Sequence, residues 1–166
     1  MAETQNPPAQ KQAMLQKIYV KDASLEVPQA PQIFTRPWQP QIDVQVNTQV
    51  AGLGESNWQV LLSVTVTAKI ESDVAFLAEV HQAGVFTITG FTDQTELGAV
   101  LGAYCPNLLF PFARETVSAL VQHGGFPQLL LQPINFDALY LEHQQRARAE
   151  QAGKAGANGA TEARLN

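Results

Sequence analysis

Hydrophobic and polar residues alternate along the first half of the chain, a pattern that predicts β-strands. A first strand is predicted over residues 15–27. A second begins at residue 42 and alternates to residue 50, and a third covers residues 58–70. Residues 74–90 are hydrophobic on both faces, so we expect a strand that is covered on both sides. Short turns between these strands favour an antiparallel sheet.

Beyond residue 92 the hydrophobic residues recur at spacings of three and four, which predicts helices. A first helix is expected to break at Pro106, and Pro111 suits the first turn of a second helix. Gly124 and Gly125 are expected to end that helix, and Asn135 is expected to cap a last one. Strands followed by helices indicate an α+β fold.

The two ends of the chain lack this regularity. Residues 1–14 are rich in glutamine, proline and alanine and predict a disordered N-terminal segment. Residues 151–166 are rich in alanine and glycine and predict a flexible C-terminal tail. We therefore expect a single domain over residues 15–150.

A proline-rich stretch between the first two predicted strands contains large hydrophobic residues. Its four prolines prevent regular strand pairing: Pro28, Pro31, Pro37 and Pro40. Phe34 and Trp38 have two interpretations: they pin a long loop to the sheet, or they line a binding surface. The last predicted helix carries Phe136 and Tyr140. A proline-stiffened loop lying over such aromatic residues can form a groove that accepts an extended, apolar polypeptide.

The composition favours binding over catalysis. Hydrophobic residues make up 45% of the chain and charged residues 15%, below the roughly 25% of an average soluble protein. Such a chain is expected to bury apolar faces in an oligomer or to expose some of them for binding. The net charge of −5 makes nucleic acid and anionic membranes poor partners.

The candidate chemistry is sparse. His81, His123 and His143 stand in separate segments without neighbours at metal-ligand spacing, so no metal site and no cofactor are predicted. Cys105 lies in an apolar context that favours a buried thiol over a nucleophile. An enzyme is therefore not predicted.

The cysteine content and the first residues of the chain indicate the cellular compartment. A single cysteine excludes an internal disulfide and fits a reducing compartment. The first residues carry neither a basic start nor an apolar run, and no segment approaches the roughly 20 apolar residues of a membrane helix. We expect a cytoplasmic protein without direct membrane insertion.

Three ordered blocks of the sequence resemble the bacterial protein-export chaperone family SecB. They are residues 18–31 with Trp38-Gln39-Pro40, residues 101–115 and residues 124–140. The resemblance implies a four-stranded antiparallel sheet with helices packed on one face, assembled as a homotetramer that is a dimer of dimers. It also implies a holdase that binds unfolded precursor proteins, keeps them translocation-competent and delivers them to the SecA translocation ATPase. An alternative function is a structural adaptor that binds one defined folded partner.

The resemblance further implies roles for individual residues. It places the substrate groove at Phe34, Trp38, Phe136 and Tyr140. It places SecA on an acidic face of the sheet at Asp22, Glu26, Leu77 and Glu79. Without the resemblance, Asp22 and Glu26 would be interpreted as a solvated surface pair. Subunit association is expected to depend on Ala78, Val80 and Gln82.

Overall fold

Four antiparallel strands and a following helical layer make up the structure. The computed structural model describes residues 10–162, with side chains as far as Gly153; the predictions for residues 1–9 and 163–166 lie outside this range. The elements are β1 (Gln12–Glu26), a 3-10 turn (Gln32–Thr35), β2 (Gln41–Gly54), β3 (Asn57–Ile70), β4 (Asp73–Thr89), α1 (Gln94–Ala99), a π-helical turn (Val100–Tyr104), α2 (Cys105–His123) and α3 (Phe136–Glu162). The predicted α+β arrangement is confirmed.

The strand order in the sheet is β1-β4-β3-β2, which places β1 and β2 at opposite edges. Tight turns join β2 to β3 and β3 to β4. Residues 27–40, which we call the crossover loop, carry the chain from one edge of the sheet to the other. The predicted proline-rich loop is therefore the one long connection in the described sheet.

Alternation along the strands gives the sheet two different faces. On the helix face, Val60, Val64, Val66 and Val80 are fully buried. On the outer face, polar residues such as Thr65 alternate with them. Helix α2 packs mainly against β4 and β3. The core thus lies between the middle of the sheet and one helix.

Strand β1 differs from its prediction in both start and alternation. It begins at Gln12, and Met14 pairs with Thr87, so residues 12–14 belong to the sheet and not to a disordered segment. Register shifts leave Gln16 and Lys21 as extra residues opposite β4. Each such bulge reverses the alternation that follows it.

The helical layer is more continuous than we predicted from the positions of Pro106 and Pro111. The backbone stays helical from Gln94 to His123, so Pro106 does not break it. The N–H of Cys105 donates to the carbonyl of Val100, five residues earlier, in the π-helical turn that leads into α2 just before Pro106. Pro111 lies inside α2 and is exposed.

The end of α2 and the start of α3 lie where the sequence predicts them. Gly124 ends α2, and its N–H donates to the carbonyl of Leu120. The side chain of Asn135 caps α3, because its Oδ1 accepts a hydrogen bond from the N–H of Ala138 at 3.0 Å. Helix α3 continues to Glu162, so the predicted boundary at residue 151 is not a break in the backbone. None of the helices within residues 10–162 is long and apolar enough to cross a membrane.

Candidate functional site

An apolar trough runs along the helix face of edge strand β2. Because α2 covers mainly β4 and β3, it leaves the hydrophobic residues of β2 partly open. Ile42, Val44 and Val50 are 39%, 40% and 42% exposed. A row of branched aliphatic side chains is thus presented to solvent on the side of the sheet that normally forms a core.

Two adjoining cavities form the trough. The first, which we call the connector cavity, has a volume of about 470 Å³ and lies between β2 and residues 129–134. The second, the helix cavity, has a volume of about 330 Å³ and lies between β2, the π-helical turn and α3. Val46 and Leu139 line both cavities, so the two cavities adjoin along β2.

The linings of the two cavities differ in polarity. Among the residues that line the connector cavity, Gln132 alone has a polar side chain. The helix cavity adds Thr48, Tyr140 and His143 to its aliphatic walls. Such a trough can hold extended apolar chain, with polar contacts available at one end.

An aromatic cluster stands near the Ile42 end of the trough. Phe34 and Trp38 of the crossover loop both contact Phe126, with ring centroids 5.1 Å and 5.2 Å apart. Phe126 in turn lies 5.1 Å from Phe76 of β4. Phe76 and Ile42 are each paired with Ala68, one on either side, which separates them by about 10 Å. Half of Phe34, 49%, remains exposed.

The crossover loop is held at two further points. Ile33 is buried in the core at 3% exposure. The guanidinium Nη1 of Arg36 lies 2.8 Å from Oδ2 of Asp73, the first residue of β4. The loop therefore both pins itself to the sheet and presents an aromatic ring to solvent, so the two interpretations of Phe34 and Trp38 are compatible.

Phe136 and Tyr140 line the helix cavity at the other end of the trough. Phe136 is 4% exposed and packs edge-on against Phe110, with centroids 5.7 Å apart. Tyr140 is half-buried, and its Oη accepts a hydrogen bond from Nε2 of Gln144 at 2.6 Å. Of the four predicted groove residues, Phe136 and Tyr140 therefore line the trough, whereas Phe34 and Trp38 lie in the aromatic cluster near its Ile42 end.

Sequence reasoning missed the strand that joins these two pairs. The valines of β2 were predicted only as one face of a half-buried strand. The alternation of β2 was visible, but its place at the edge of the sheet and its partial cover by the helices are set by packing between elements distant in sequence.

The outer face of β1 and β4 brings together the four residues predicted to contact SecA. The bulge at Lys21 turns Asp22 to the face that carries Glu79. Glu26 pairs with Leu77, and Asp22 pairs with His81. These four residues, which we call the acidic patch, lie on the opposite side of the sheet from the trough. Sequence reasoning missed His81, whose Nε2 lies 2.7 Å from Oε1 of Glu79.

The residues predicted to influence subunit association lie inside the subunit. Ala78 and Val80 are fully buried, and Gln82 is 2% exposed. All three face the helix layer, since Val80 pairs with Val64 of the core. They are not on a surface, so any influence on association must pass through the packing of α2. That influence stays a prediction.

Reactive groups are few in the described part of the chain. Burial raises the pKa of the Cys105 thiol from 9.0 to about 12, so the nucleophilic thiolate is strongly disfavoured. Within residues 10–162, no group of three or more histidine, cysteine or acidic residues is arranged to hold a metal ion. The candidate site therefore consists of two surfaces on opposite faces of the sheet, the apolar trough and the acidic patch.

Comparison with known proteins agrees with this geometry. The family model for preprotein translocase subunit SecB matches residues 6–147. The protein-export protein SecB of Methylococcus capsulatus is 51% identical over 148 residues, covering 89% of this chain and 94% of the relative. That of Hahella chejuensis is 46% identical over 155 residues, covering 93% of this chain and 97% of the relative.

A solved structure shares the fold. A Mycobacterium tuberculosis SecB-like chaperone, in complex with a ChAD peptide from an antitoxin, superposes with a TM-score of 0.62 at 20% identity. The match covers 74% of this chain and 90% of that one. On the family match and the identity to its relatives, this chain belongs to the SecB family of protein-export chaperones.

Proposed function

We propose that this protein is a holdase that binds unfolded precursor proteins, keeps them translocation-competent and delivers them to the SecA translocation ATPase. The observation that carries the proposal is the open apolar trough along β2, with an aromatic cluster at one end. Membership of the SecB family supplies the link to protein export. The cytoplasm, where precursors are made, is the compartment that this role requires.

The trough would discriminate by folding state and not by sequence. Unfolded chains expose apolar side chains that folded proteins bury, and burying one such side chain contributes about 1.5–3 kcal/mol. The nine residues from Ile42 to Val50 span about 26 Å, enough to lie along a client segment of about nine extended residues. Binding the unfolded form opposes folding by mass action. No cofactor is needed.

SecA would dock on the acidic patch. Its carboxylates, Asp22, Glu26 and Glu79, suit a cationic partner surface, and Leu77 adds an apolar contact. Because the patch and the trough lie on opposite faces of the sheet, a client and SecA can be bound together. That geometry supports delivery as opposed to simple competition.

A homotetramer, built as a dimer of dimers, is part of the proposal. Tyr104, Leu108 and Phe112 follow one another at intervals of four on the outward side of the helical layer, and Tyr104 and Phe112 are each 48% exposed. This apolar stripe is suited to burial against another subunit. Several troughs in one assembly would bind one long client with added avidity, through effective concentrations in the millimolar range.

Calorimetric titration with one exported precursor, offered both diluted from denaturant and natively folded, tests the proposal. Light scattering on the same samples gives the mass of the complex. We expect binding of the unfolded form alone, at one chain per tetramer. Saturable binding of a folded protein with indifference to unfolded chains would instead support the adaptor function.

A further inference from the structure

Two glycines of the helical layer face the ring of Tyr140. Gly98 in α1 and Gly102 in the π-helical turn are four residues apart, and both line the helix cavity with Tyr140. A Cβ atom added at Gly98 would lie 2.6 Å from the Tyr140 Oη. A Cβ atom at Gly102 would lie 2.6 Å from Cε2 of the same ring and would also contact Cδ2. Contacts under 3.0 Å are essentially never made by real Cβ atoms.

The position of Tyr140 determines the shape of the helix cavity. Leu139, Tyr140 and His143 reach that cavity from α3, and β2 forms its opposite wall. The Tyr140 hydroxyl is also held from within α3 by Gln144, so the ring cannot turn away without losing that hydrogen bond. A side chain at position 98 or 102 must therefore displace the Tyr140 ring from this position.

We propose that Gly98 and Gly102 are positioning residues: they seat Tyr140 and thereby set the width of the helix cavity that receives the client. The part of this inference that concerns client binding rests on the proposed function. Neither glycine occupies a conformation that requires glycine, because both lie in regular helical backbone. Their role is to leave space for the Tyr140 ring.

The two glycines face different atoms of the same side chain, which makes the inference testable. At Gly98 the close contact is the hydroxyl oxygen, and the next nearest atom, Cζ, is 3.7 Å from the added Cβ. At Gly102 the close contacts are ring carbons that phenylalanine would retain. Changing Tyr140 to phenylalanine should therefore remove the close contact that Gly98→Ala makes and keep the close contacts that Gly102→Ala makes.

The experiment measures binding of a reduced and alkylated secretory protein, which stays unfolded without denaturant. Gly98→Ala and Gly102→Ala are each placed in the wild-type and in the Tyr140→Phe background, and effects are compared within one background. Gly153→Ala is the matched control, because no atom lies within 4 Å of its added Cβ.

In the wild-type background we expect both substitutions to weaken client binding roughly tenfold, the size of effect that overpacking a filled site produces. In the Tyr140→Phe background, Gly98→Ala should change binding less than about twofold, since alanine is otherwise preferred to glycine in a helix. Gly102→Ala should remain about tenfold weaker, and Gly153→Ala should have no effect. SecA binding should be unchanged throughout, which separates this role from general destabilisation.

Three outcomes distinguish the possibilities. Unchanged client binding by Gly98→Ala, or equal loss in both backgrounds, overturns the inference. A wild-type protein that does not bind the unfolded probe contradicts the proposed function. In that case the melting temperatures of the same variants test whether the two glycines seat Tyr140. If Tyr140→Phe restores the melting temperature of Gly98→Ala alone, the seating is supported; any other result overturns it.

Discussion

Trp38 of the crossover loop stacks on Phe76 of strand β4, with ring centroids 6.4 Å apart and an angle of 20° between the rings. Phe76 is fully buried, whereas Trp38 is half-buried. The pair thus joins the loop to the sheet through one face of the indole ring. The indole also contacts Phe126, and the part of it that stays exposed lies near the Ile42 end of the trough.

Trp38→Ala is expected to weaken binding of an unfolded precursor at least tenfold, since about 1.5–3 kcal/mol is lost with one large apolar contact. Binding of SecA should change less than twofold, because the acidic patch is on the other face of the sheet. Isothermal titration with each partner measures both effects. Leu53→Ala, at the exposed tip of the β2–β3 hairpin, is the control and should alter neither. Equal losses for both partners would contradict separate surfaces.

Glu79→Lys should have the reverse effect. It places a cation between Asp22 and Leu77 in the acidic patch, so a cationic partner surface is repelled and SecA binding should fall by more than tenfold. Client binding should be unchanged. Glu55→Lys makes the same charge change in the β2–β3 turn, away from the patch, and should leave SecA binding within about twofold. If both variants weaken SecA binding equally, net charge and not the patch is responsible.

The ion pair between Arg36 and Asp73 is expected to restrain the crossover loop. Both side chains are partly exposed, so the pair contributes about 0.2–1 kcal/mol and its removal will not unfold the protein. Arg36→Ala and Asp73→Ala should each increase the rate at which clients bind and dissociate, and the double variant should equal either single one. Stopped-flow fluorescence in a Trp58→Phe background, which leaves Trp38 as the one tryptophan of the chain, measures these rates. Additive effects would show that the two residues act independently.

Burial of Cys105 predicts a loss of stability at alkaline pH. Its thiol has a pKa of about 12 in the folded chain against an ordinary value of 9.0, so above pH 9 the unfolded chain releases a proton that the folded chain keeps. Unfolding is then favoured by up to about 1.4 kcal/mol per pH unit until the pH approaches 12.

Urea unfolding of the wild type and Cys105→Ala checks this expectation. Between pH 8 and pH 10.5 the wild type should lose about 2 kcal/mol more stability than the variant, which retains every other titratable group. Parallel pH profiles for the two proteins would contradict a buried, protonated thiol.

Much of the fold was predictable because alternation reports directly which residues of a strand are buried. The pattern of β3, with Val60, Val64 and Val66 on one face, is confirmed by the structure. The bulges of β1 were not predictable, because the extra residues, Gln16 and Lys21, are polar and fit the pattern on either face. Strict alternation would put Asp22 on the face of Ile18 and Val20, whereas the bulge at Lys21 turns it to the opposite face.

The continuity of the helix through Pro106 and the position of the trough could not be predicted from local sequence. Pro106 is a helix breaker in an ordinary turn, but here it follows a π-helical turn, and the backbone stays helical on both sides of it. The trough depends on which strands α2 covers, and this is a property of packing between elements distant in sequence. The grouping of the acidic patch came from family resemblance, and the structure places its members on one face.

The most direct test of the account compares two adjacent positions on β2. Val44 faces the trough, and Gln45 faces the outer side of the sheet; both are exposed. A photo-crosslinking amino acid is placed at one position or the other, and the protein is irradiated with an unfolded precursor or with the same precursor folded. We predict crosslinks to the unfolded precursor from position 44 and not from position 45, and none to the folded form. Equal crosslinking from both positions, or crosslinking from position 45 alone, would contradict the trough as the client-binding surface.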